Sequence, residues 1–78
     1  MNITEHAMLR MAQRGFTPGM LGKILNGRKA VLPAGSGRFR IVGNVDGDFW
    51  TLVVEEDLYT LVTVRRAHED EICCLSKK

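Results

Sequence analysis

Hydrophobic and polar positions change period about a third of the way along the chain. Up to Gly27 the apolar residues recur at helical spacing, and from Arg28 onward they alternate. The first segment runs from Thr4 to Gly15. At about 100° per residue, Ala7, Met8, Met11 and Ala12 fall on one side. His6, Arg10, Gln13 and Arg14 cluster on the other. Asn2 or Thr4 can cap this helix, Glu5 suits the positive end of its dipole, and Gly15 is a natural stop. Phe16 is expected to enter the core at the corner. Thr17 and Pro18 then supply the cap and first position of a second helix. Met20, Leu21, Ile24 and Leu25 form its apolar stripe, Asn26-Gly27 ends it, and Gly19 and Gly22 keep it short.

The strand region begins with a short segment, Lys29 to Leu32, closed by Pro33 and Ala34-Gly35-Ser36-Gly37. Arg38 to Val42 alternates clearly, with Phe39 and Ile41 inward and both arginines outward. Asn44-Val45-Asp46-Gly47 is a turn signal. Phe49 to Glu55 and Leu58 to Arg65 follow, joined by Glu56-Asp57. Both are apolar on two faces and read as central strands. Arg66 to Glu71 is polar and starts a last short helix or an arm, with Ile72-Cys73-Cys74-Leu75 as an apolar anchor. Hairpin-length connections require antiparallel pairing. The expected fold is therefore α+β: two N-terminal helices packed on one face of a three- to four-stranded antiparallel sheet. The other face is expected to be open.

Seventy-eight residues make one domain, 1–78, which buries only about 60% of its unfolded surface and is expected to be marginally stable or helped by a partner. A short edge strand and small core also favour a homodimer or complex. With 45% hydrophobic and 26% charged residues, the composition is that of a folded globular chain rather than a disordered one. No apolar run reaches the roughly 18 residues of a membrane span, and Met1 to Glu5 lacks the pattern of a signal peptide. A cytoplasmic location and no membrane partner are expected. Adjacent Cys73 and Cys74 bridge poorly and do not offer separated zinc ligands, so they read as reduced thiols. Net charge is +2, from 11 basic and 9 acidic residues. Its distribution says more than its size. Arg10, Arg14, Lys23, Arg28, Lys29, Arg38 and Arg40 lie in the first 40 residues, where Glu5 is the only acid. A polyanion is the natural partner of such a half.

The opening His6-Ala7-x-x-Arg10-Met11-x-x-Arg14-Gly15, followed by a Thr-Pro second helix, resembles a family of small bacterial and phage proteins. That family is catalogued as a domain of unknown function (family four-two-five-eight). Leu61-Val62-Thr63-Val64-Arg65 matches its closing strand, and Thr63-Val64-Arg65-Arg66-Ala67 with Glu71 is similar to the end of BrnT-type toxins. Both groups look like members of the RelE-like class of ribonuclease toxins. The resemblance covers nearly the whole chain. It implies a RelE-like fold, metal-independent RNA cleavage, and functional roles for His6, Arg10 and Arg14. The chain departs from the class in its near-balanced charge and in carrying Arg65 where an aromatic is common.

RNA cleavage without metal needs a base for the ribose 2′-OH, a cation on the phosphate, and an acid for the leaving 5′-oxygen. Histidine suits either proton role and arginine the clamp. His6 and Arg10, at i and i+4, can reach one phosphate. Thr63 and Arg65 share a strand face and could complete the catalytic set, with Arg14, Arg38 and Arg40 as RNA-binding residues. Each has a plainer reading. His6 can be an ordinary solvent-facing residue, Arg10 and Arg14 can pair with Glu5 or Glu55, and Thr63 can be a simple strand former. Trp50 is a core residue or a base-stacking ring. His68 beside Glu69, Asp70 and Glu71 invites a metal, but carboxylates in a polar run are ordinarily solvated; no metal or cofactor is expected. Two functions compete. One is a toxin-like endoribonuclease neutralised by an antitoxin or immunity protein over the basic face. The other is a non-catalytic RNA- or protein-binding module of a bacterial or phage system. A phage accessory protein acting on a host factor is a third.

Overall fold

Residues 2–76 are described by a computed structural model; Met1, Lys77, Lys78 and the side chains of Cys74 and Ser76 lie outside the described residues. The elements are β1 (Asn2–Ile3), α1 (Glu5–Arg14), α2 (Pro18–Asn26), β2 (Lys29–Gly35), β3 (Arg38–Val45), β4 (Asp48–Val54), β5 (Thr60–Arg66) and α3 (Glu69–Ser76). The α+β class holds, with two helices ahead of the main strands. The sheet is larger than the pattern indicated. It has five strands in the order β1-β5-β4-β3-β2, and β1 runs parallel to β5 while all other pairs are antiparallel. β1 was invisible to alternation because it has only two residues. Its backbone nevertheless bonds to the β5 edge, with the Asn2 N–H donating to the Tyr59 carbonyl at 2.9 Å.

Local chemistry sets most boundaries. Thr4 caps α1, accepting the Ala7 N–H, and Gly15 ends it at φ 69°, in the left-handed region. Thr17 caps α2 with Pro18 in its first turn. Asp46 and Gly47 both have positive φ, as a two-residue hairpin joining right-twisted strands requires. β5 starts later than Leu58, because Leu58 itself sits at φ 58° in the turn. There the Asp57 carboxylate accepts the Tyr59 and Thr60 N–H groups, which hold its pKa below the ordinary value.

α1 lies on β5 and α2 on β3. Between helices and sheet sits the core: Ala7, Met11, Phe16, Leu21 and Ile24 against Ile41, Val45, Trp50, Leu52, Val54, Leu61 and Val64. Trp50 is a core residue. Its ring meets Phe16 edge-on at 5.0 Å, and the Arg66 guanidinium stands 5.1 Å from its centroid, so it is not offered to a base. α2 comes down on a glycine. A Cβ at Gly43 would stand 2.6 Å from Ile24 Cγ2. Gly43→Ala is expected to cost about 1–3 kcal/mol by pushing α2 off the sheet. Adding Ile24→Ala should give a double variant more stable than the sum of the two losses, measurable by denaturant unfolding.

The second face of the sheet is not open. α3 lies across β3 and β2 on that side, burying Leu75 and, unexpectedly, Glu71. Arg66 closes β5, the polar run becomes a helix only from Glu69, and one of its carboxylates points into the protein.

Candidate functional site

The orientation of α1 is fixed at its first turn. The Thr4 hydroxyl accepts the Ala7 N–H at 3.1 Å and donates to the Leu61 carbonyl at 3.0 Å, tying cap to β5. With Ala7 and Met11 turned into the core, the polar stripe faces outward. Arg10 Nε lies 3.5 Å from His6 Nε2, and Arg10 NH1 donates to Gln13 Oε1 at 3.3 Å. The contact sets an imidazole nitrogen and a guanidinium side by side on the exposed face of one helix. Gln13, which spacing alone leaves without a role, holds the Arg10 fork from the far side. Arg14 is exposed in the last turn of the same helix.

Thr63 and Arg65 do share a face, but it is the wrong one for a joint site with α1. Val64 points into the core beneath α1, so its neighbours Thr63 and Arg65 project from the opposite side of the sheet. The expected catalytic set therefore divides, with His6 and Arg10 on one side and Thr63 and Arg65 on the other.

Arg65 and Arg40 are engaged by α3. Glu71 is only 1% exposed. Its Oε1 accepts from Thr51 Oγ1 at 2.9 Å, Arg65 NH1 at 2.9 Å and the His68 N–H at 2.8 Å. Its Oε2 accepts from Arg65 NH2 at 2.8 Å and Arg40 NH1 at 2.9 Å. The Arg65 hydrogen bonds hold the Glu71 carboxyl far below the usual carboxylate range despite its burial, with help from the His68 N–H and Thr51. The same contact raises the Arg65 pKa. Arg40, expected outward on an open face, is turned to this carboxylate and to the Pro33 carbonyl. No sequence pattern marks such a cluster, since Arg40 and Glu71 are 31 positions apart.

The other expected RNA-binding arginine, Arg38, pairs with Glu55 at 3.4 Å across the exposed sheet. Lys23 pairs with Asp46 and Arg66 with Asp48, both at the surface and worth little. Among the described residues, Arg10, Arg14, Arg28 and Lys29 make no ion pair with a carboxylate. The expected alternatives of Arg10 or Arg14 on Glu5 or Glu55 do not form.

Beside the stripe, α1 carries a second feature. Met8 and Leu9 are 54% and 56% exposed, although spacing puts Met8 on the apolar side of α1 with Ala7 and Met11. The buried stripe of α1 is narrower than the apolar one, and Met8 and Ala12 fall on its rim. They line an open, nearly apolar groove of about 380 Å³ with Ile3, Met11, Phe16 and Pro18. Among the described residues, no three His, Cys, Asp or Glu side chains gather as metal ligands; His68 is exposed, whereas Glu71 is buried. Cys73 is a free, exposed thiol. No helix of the described residues is long and apolar enough to cross a membrane.

Compared with protein-family models, curated proteins and solved structures, the chain finds no match in any of the three.

Proposed function

We propose that this chain acts on RNA through the α1 stripe, as a toxin-like, metal-independent endoribonuclease. His6 takes the 2′-OH proton and Arg10, braced by Gln13, clamps the phosphate. Arg14 extends the cationic strip along the strand. The observation that carries the reading is the His6–Arg10 contact: an imidazole beside a guanidinium that no carboxylate neutralises. The resemblance of the opening motif to small bacterial and phage proteins points to the same residues. Thr63 and Arg65 drop out of the catalytic set, and Arg38 and Arg40 out of the RNA-binding set. One histidine supplies one proton carrier, so the leaving 5′-oxygen takes its proton from solvent or from the bound target.

Attack by the 2′-oxygen on phosphorus leaves a 2′,3′-cyclic phosphate and a 5′-hydroxyl. Incubation of purified chain with single-stranded RNA in chelator, followed by end-group analysis, is expected to yield those ends. Products with 5′-phosphates, or intact RNA, would exclude this mechanism.

A second reading has its own observation. Exposed Met8 and Leu9 beside an apolar groove are what a protein-binding helix displays, and the free arginines of α1 suit an acidic partner segment. An antitoxin or immunity protein of that chemistry would cover the stripe. If RNA stays intact, binding without catalysis becomes the leading function.

A further inference from the structure

The cluster around Glu71 offers more donors than its carboxylate can use. Two guanidinium groups, a hydroxyl and a backbone N–H direct five hydrogen bonds at two oxygens. A carboxylate presents about four lone-pair sites, so the set is oversubscribed. Charge is out of balance in the same sense, with Arg40 and Arg65 facing the single buried charge of Glu71. Asp70 acts on Arg65 only through its field, from an exposed position. Arg40 Nε is buried and makes no hydrogen bond within the described protein. Buried donors are ordinarily satisfied, and this one belongs to a guanidinium already bonded to Glu71, so the group has donor capacity to spare.

We propose that Arg40, Arg65 and Thr51 form a binding site for a phosphoryl group, and that Glu71 occupies it as an intramolecular stand-in. These three side chains stand on β3, β5 and β4, so the cradle belongs to the sheet and stays when α3 leaves. A phosphate dianion brings a second charge and three or more acceptor oxygens, matching the surplus that Glu71 leaves. The occupying carboxylate comes from α3, a helix of 8 residues, making it a built-in competitor for the site. This inference does not depend on RNA cleavage at α1, which lies on the other face of the sheet.

The test is rescue of an emptied cradle. Thermal unfolding of Glu71→Ala is compared in phosphate and in chloride at equal ionic strength. Phosphate well above its dissociation constant is expected to raise the Tm by about 5 °C or more. Wild type, with the site filled, should not respond, and neither should Glu71→Ala with Arg65→Met. That double variant also separates the cradle from any phosphate held on α1. A 5′-phosphorylated trinucleotide and its 5′-hydroxyl counterpart identify the source. A rise with both inorganic phosphate and the phosphorylated trinucleotide assigns a terminal phosphomonoester, and a rise with the free ion alone assigns inorganic phosphate. If Glu71→Ala is unfolded in chloride, return of its helical circular dichroism in phosphate supports the site equally. No phosphate-specific rise, an equal rise in the Arg65→Met background, or failure of phosphate to restore structure while Glu71→Gln is folded and indifferent, overturns the proposal.

Discussion

Glu71→Ala is expected to lower stability by about 3 kcal/mol, near the foot of the range for breaking a buried ion cluster, because both arginines keep some water. For a chain of this size that is a Tm drop of roughly 15 °C. The loss comes less from the vanished hydrogen bonds than from what remains. Arg40 and Arg65 would be left with like charges facing one emptied pocket, each with a side chain only about 30% exposed. α3 would lose its buried anchor and lift from β3 and β2. Glu71→Gln keeps the shape and one acceptor, so its loss should be smaller.

The same carboxylate sets an acid limit. Its pKa is lowered in the folded protein from an ordinary value of 4.5, so at low pH the unfolded chain binds a proton that the folded chain refuses. Its contribution is fully present above that ordinary value and is lost progressively as pH falls below it. Asp57, also lowered, acts in the same direction. Melting curves from neutral pH downward should show wild type losing its advantage over Glu71→Gln as the medium becomes acidic, with the two converging at the lowest pH.

His6→Ala and Arg10→Ala carry the other large effect, and it falls on activity. Removing a general base costs about 10²–10⁴ in rate and removing a phosphate clamp about 10²–10³. Both side chains stand on the outer face of α1 and bond mainly to each other and to Gln13. Stability should therefore change by less than about 1 kcal/mol. Gln13→Ala frees the Arg10 fork without removing charge, and should weaken cleavage less than Arg10→Ala does. Rates on single-stranded RNA, with melting curves on the same preparations, check all three. Thr63→Val, on the opposite face, should leave the rate unchanged.

Much of this arrangement could be read from residue order, where the determinants were local. The α1 period, the Thr17-Pro18 start and the Asp46-Gly47 hairpin each rest on neighbours within a few positions. What stayed hidden depended on contacts between distant segments. β1 is too short to alternate and is defined by its bonds to Tyr59 and Leu61. Met8 looked like core because the apolar arc of α1 is wider than the strip the sheet covers. Glu71 sits in a run of three acids that reads as solvated. Only the fold brings Arg40, Thr51 and Arg65 to it, which is why two arginines expected to meet RNA are held by the protein itself. The α1 half of the candidate site survived as a geometric unit because its residues lie on one helix. The Thr63–Arg65 half could not be placed, since strand alternation tells which residues share a face but not which helix covers it.

The most direct measurement is an NMR titration of the wild-type chain with a single-stranded oligoribonucleotide, following backbone and arginine Nε–Hε signals. Perturbations confined to His6, Arg10, Gln13 and Arg14, with Thr63, Arg65 and Arg40 unmoved, are the expected result. Shifts centred on Thr63 and Arg65 with α1 silent would contradict the account.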